Sequence, residues 1–210
     1  MSILDKLGSN LGESTNFLQK TLDKYIVFNP EAKQVILKNQ AVLLLSQQAQ
    51  SRVEQLKNLE THPEEGLIAT VEHNQVTAQL HFTPVKMTLH QDSIDGELRL
   101  LETPEFETDS MIYKYLIAGW KTFLGGKIPS GVLPKEFRIE SDDRVYYTLP
   151  RNQLKLLDAF AHTLENGSTL IANLKQGELI IETSVALSLD DLKLHSLLQL
   201  LNTYRSKVRS

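Results

Sequence analysis

Ile3, Leu4, Leu7, Leu11, Leu18, Leu22 and Ile26 recur mostly every three or four residues, with Asp5, Lys6, Glu13, Lys20, Asp23 and Lys24 off that line. This spacing predicts an amphipathic helix. Gly8 and Gly12 each cost about 1 kcal/mol relative to Ala inside it, so its first turns are expected to fray. Its polar side carries as many acids as lysines and lacks the basic bias of helices that seek anionic lipid. The plainer expectation is packing on the chain's own core. Leu7, Leu11, Leu18 and Leu22 are the residues it would offer to a membrane or a partner.

Beyond Asn29-Pro30 the pattern reads strand, helix, then strands, and it does so twice. Val35-Ile36-Leu37 opens the first unit, Asn39 is a candidate N-cap, and Ala41 to about Leu59 has apolar residues at helical spacing. Val145-Tyr146-Tyr147 opens the second, followed by Leu154, Leu156, Leu157, Phe160, Ala161 and Leu164, with Asn166-Gly167 as the stop. Leu67-Ile68-Ala69 and Leu170-Ile171-Ala172 then begin strand pairs at an offset of 103 residues, and His73-Asn74 falls opposite Gln176-Gly177. An internal duplication is one reading, and two unrelated helix–hairpin units the other.

Val76, Ala78, Leu80 and Phe82 alternate with Thr77, Gln79, His81 and Thr83, the mark of a half-buried strand. Pro84 interrupts, and the alternation resumes with Val85, Met87 and Leu89 against Lys86, Thr88 and His90. A bulge or an edge position is therefore expected at Pro84. Asp95-Gly96 is expected to close the next turn before a strand from Gly96 to Glu102.

An Asp109-Ser110 start leads into Met111, Ile112, Tyr113, Tyr115, Leu116, Ile117, Ala118, Trp120, Phe123 and Leu124. A helix apolar nearly all round is either core or awaits a ligand, membrane or partner, and Tyr113, Leu116, Ile117, Trp120 and Phe123 are its candidate ligand contacts. The Gly- and Pro-rich loop from Gly125 to Pro134 is the natural boundary or lid. A last helix, Leu189 to Val208, has Asp190-Asp191 in its first turn and Arg205, Lys207 and Arg209 at its end, as the helix dipole favours. Its wide apolar face suits a sheet or a homodimer seam.

Composition narrows function mainly by exclusion. With 210 residues, 41% hydrophobic and 23% charged, the chain is an ordinary globular length and needs no metal or disulfide staple. Lys and Arg total 22 against 26 acids, a net charge of -4, so the global basic field of a nucleic-acid binder is missing. Cysteine is absent, which excludes thiol catalysis and Cys-ligated metals. No run approaches the ~18 apolar residues of a membrane span, and no basic-then-apolar leader opens the chain; a cytoplasmic protein, with peripheral membrane contact as the variant, is expected.

No catalytic residue, metal ligand or cofactor is assigned. Gly126-Lys127 lacks the preceding glycine of a P-loop, no dinucleotide turn occurs, and no close-spaced histidine pair lies on a helix. His81 and His90, on the polar face of neighbouring expected strands, could hold a divalent metal with Asp92 or Glu97, but solvated histidines are the commoner case. Asp142-Asp143-Arg144 reads as a turn.

The expected fold is α+β, antiparallel strands covered by helices near 41–59, 109–124, 153–164 and 189–208. Residues 1–28 form an amphipathic arm, 29–124 a first unit, 125–134 the loop and 135–210 a second unit. Long helices laid on bent strands resemble the tubular lipid-binding class, a likeness of architecture that assigns no residue but implies a lipid-sized groove. A non-catalytic binder of an apolar, lipid-like ligand or membrane surface is the leading expectation. The alternative is an assembly subunit using its apolar helix faces, and an enzyme trails both.

Overall fold

The structure, a computed structural model, describes residues 23–73, 75–123, 136–139, 143–153, 164 and 166–184, without the side chains of 116, 119–123 and 153. Its centre is one long strand. β5 (Val76–Leu89) runs for 14 residues, and each of its edges is shared by two partners. On one edge β4 (Leu67–His73) takes residues 76–82 and β10 (Thr169–Lys175) takes 86–88. On the other, β7 (Glu105–Glu107) takes 77–79 and β6 (Ser93–Leu100) takes 82–89.

The register between β5 and β6 shifts between Pro84 and Lys86, which leaves Val85 as the extra residue of a bulge. Pro84 has no N–H to donate, so the irregularity expected there is real. The bulge also reverses side-chain parity. Leu80, Phe82 and Pro84 face the concave side before it and Met87 faces the same side after it, so one strand keeps a continuous apolar face through a bend.

The remaining strands extend the sheet outward. β1 (Ile26–Asn29), β2 (Gln34–Leu37), β11 (Glu178–Glu182) and β10 lead to β5 from one side; β9 (Arg144–Pro150) and β8 (Phe137–Ile139) continue past β6 on the other. β3 (Leu56–Thr61) flanks β4, and all named pairs are antiparallel. Gln176 and Gly177, both at positive φ, make the two-residue tip between β10 and β11. α1 (Asn39–Gln50) lies against β3, β2 and β11, and strands from both arms face it.

The α+β expectation is therefore corrected: the described residues are mainly antiparallel strand in one large sheet, not a sheet covered by helices. The bend lets the sheet's own arms cover much of its apolar face. The helix expected over 41–59 stops at Gln50, where the Ser51 hydroxyl donates to Gln48 O at 2.9 Å. Residues 56–61 instead form β3, because β4 offers an open edge and Leu56 and Leu59 can pair across it. Asn39 is the first helical residue rather than the cap; Lys38 holds that position without a side-chain bond. Ile26, assigned to the N-terminal arm, is 3% exposed in β1, so the expected arm of 1–28 loses its last residues to the sheet.

Asp95 and Gly96 lie within β6, opposite Thr88 and Met87, and the turn is His90–Ser93, closed by His90 N donating to Ser93 O at 2.8 Å. The duplication finds no support. The pairs that close the two hairpins, His73 with Val76 and Lys175 with Glu178, are offset by 175 − 73 = 102 residues rather than 103, and a one-residue slip inverts the faces of a strand. Most of the helix expected over 153–164, all of that over 189–208, and the 125–134 loop lie outside the described residues.

Candidate functional site

Two buried clusters form on the concave side. The first joins α1 to β1, β2, β10, β11, the far end of β5 and the start of β6, with Leu37, Leu89, Ile94 and Leu174 fully buried; the second joins β4, the near half of β5, the end of β6 and β9 around Ala69, Leu80, Leu100 and Val145. Between them lies a cavity of about 250 Å³. α1 lines it with Val42, Leu45, Ser46 and Ala49, the stripe that one helical face presents, while Leu80, Phe82 and Met87 rise from β5 opposite.

The described lining contains no charged side chain, and its side-chain polar groups are the hydroxyls of Ser46 and Tyr147. Tyr147 stands on β9 directly opposite Gly96 of β6. A Cβ at Gly96 would overlap the Tyr147 ring, so the glycine lets that ring lie flat across the neighbouring strand. Phe137 packs on the other side at 6.0 Å between ring centroids. Tyr147 is half-buried as a residue, because part of it faces the cavity, yet its phenol is surrounded by protein and burial pushes its pKa well above the ordinary value.

The other face of the sheet is mainly polar. His81 Nε2 lies 2.7 Å from Glu65 O, and its ring stacks on His62 at 4.4 Å between centroids. Arg99 donates to Glu65 at 3.1 Å, Arg144 pairs with Glu97, and His90 lies 3.1 Å from Asp95. The metal reading placed His81 and His90 on neighbouring strands; they lie nine positions apart along β5 and its exit, roughly 30 Å at ~3.3 Å per residue. No group of three potential ligands occurs among the described residues.

Of the expected ligand contacts on α2 (Met111–Phe123), Tyr113 is half-buried and Ile117 is 7% exposed, and neither belongs to the cavity's described lining. The side chains of Leu116, Trp120 and Phe123, and the whole of Leu7, Leu11, Leu18 and Leu22, lie outside the described residues. Sequence reasoning did not single out the cavity. Its one signal was Ser46 and Ala49, small residues on an otherwise bulky helix face, and these leave space only if the facing sheet curves away.

No described helix is long and apolar enough to cross a membrane. Comparison with family models, curated proteins and solved structures gives no match, so the likeness to the tubular lipid-binding class gains no support there and function rests on the geometry.

Proposed function

We propose that the protein is a non-catalytic carrier or sensor of an apolar, acyl-chain-like molecule held between α1 and the bent sheet. The observation that carries this reading is a cavity of about 250 Å³ whose described walls are uncharged and offer only two hydroxyls. That is room for roughly eight waters at ~30 Å³ each, yet water in it would find few partners; apolar cavities of about 150 Å³ stay dry and take up small hydrocarbons. A chain of about eight methylenes gains roughly 6 kcal/mol at ~0.8 kcal/mol each. Before ordering costs and headgroup contacts, this corresponds to a dissociation constant in the tens of micromolar.

Native mass spectrometry of gently purified protein, followed by organic extraction, tests the proposal. A stoichiometric apolar compound on the monomer is expected. Ala69→Phe puts a ring into the cavity from β4 and should abolish uptake of a fluorescent fatty acid while leaving the thermal midpoint level or higher. Undiminished uptake in a folded Ala69→Phe protein would remove the cavity from the account, and a ligand-free oligomer would favour an assembly role.

A further inference from the structure

An apolar cavity selects a ligand by its end group as well as by its chain. Tyr147 reaches from β9 across Gly96, with Cζ and Oη standing where a side chain at Gly96 would begin. Its hydroxyl is therefore carried inward over β6, one strand from Met87, which pairs with Gly96 and also lines the cavity. Ser46 lines the cavity from α1 and is 3% exposed.

Neither hydroxyl has a hydrogen-bond partner among the described residues. A serine inside a helix commonly donates back to the carbonyl one turn earlier, and Ser46 does not. Burial also keeps the Tyr147 phenol protonated, so it remains a donor. Buried hydroxyls left without partners are rare, because each has given up hydrogen bonds to water. Alanine and phenylalanine would fill the two positions without that loss. Two such groups in one cavity, among otherwise apolar side chains, point to a partner that arrives from outside the chain.

Resting on the apolar-ligand reading of the same cavity, we propose that its occupant is an uncharged molecule bearing an oxygen acceptor, an ester, ketone or alcohol of medium chain length, which takes a hydrogen bond from Tyr147 Oη or Ser46 Oγ. Charge excludes the ionised alternative. A carboxylate would leave its hydration for described walls that hold no cation, so a fatty acid enters as the neutral acid or leaves its head in water. An alkane suits the walls but leaves both hydroxyls unpaired. An ester carbonyl meets both demands, since it carries no charge and accepts.

Methyl octanoate, octanoate and octane, each added to the full chain, test it, with affinity read as the concentration that raises the thermal midpoint by a fixed amount. At about pH 8 the ester should bind at least about tenfold more tightly than octanoate, and the gap should close toward about pH 5, where the carboxyl becomes neutral. Tyr147→Phe keeps the ring over Gly96 and removes only the hydroxyl. Where Tyr147 is the donor, this variant should weaken the ester about fivefold, the worth of one net hydrogen bond, and leave octane unchanged. Ser46→Ala is read in the same way, so a loss in either variant identifies the donor. Octanoate binding as tightly as the ester at about pH 8, or an ester affinity unchanged in both variants, overturns the proposal while octane binding keeps the cavity. No rise with any of the three compounds, octane included, removes the cavity reading and this one with it.

Discussion

A single methyl group at Gly96 would strike the face of the Tyr147 ring. The Cβ of a Gly96→Ala variant would sit against Tyr147 Cζ, Cε1 and Oη, far inside the ~3.5–4.0 Å at which carbon atoms rest. The β6–β9 register is held on both sides of this pair, so the backbone resists the shift and the ring must move. Its open direction is the cavity. Overpacking of this kind costs about 1–3 kcal/mol, which for a chain of this size lowers the thermal midpoint by roughly 2–12 °C. A displaced ring would also take up cavity space, so uptake of a fluorescent fatty acid should fall. The cause can be isolated in a double-mutant cycle with Tyr147→Leu, read by thermal or urea unfolding. Once Tyr147→Leu has removed the ring, the alanine should cost little, leaving a coupling of about 1–3 kcal/mol. If Gly96→Ala costs the same in both backgrounds to within ~0.5 kcal/mol, the close approach does not explain the glycine.

Two further outcomes follow from buried hydroxyls. Burial raises the Tyr147 pKa in the folded state, so the protein loses stability as pH rises above the unfolded value of 10.0, where the unfolded chain ionises and the folded one does not. Spectrophotometric titration should show one of the six tyrosines ionising only with unfolding, and Tyr147→Phe should remove that late component; early ionisation of every tyrosine would refute the burial. Thr83 is 3% exposed and its Oγ1 has no hydrogen-bond partner among the described residues. Thr83→Val keeps the shape and removes the stranded hydroxyl, so it should stabilise the fold by about 1 kcal/mol in urea unfolding; a loss of stability would mean that the hydroxyl is satisfied.

Local patterns alone settled several features. Alternation marked β5, the proline marked its bulge, and an apolar run after Asp109-Ser110 marked α2, because each depends on side-chain period and backbone chemistry within a few residues. Partners far along the chain decided the rest. Residues 56–61 fit the end of a helix by spacing, yet the open edge of β4 makes them a strand. Asp95-Gly96 has the composition of a turn, yet Gly96 sits in mid-strand because a tyrosine 51 positions later lies across it. The cavity is the strongest case. Every residue in its described lining reads as ordinary core or strand in one dimension, and the space appears only where α1 and strands far apart in the chain are brought together. Period and composition specify which side chains leave water; how closely they then meet is a property of curvature, and that is set by non-local pairing.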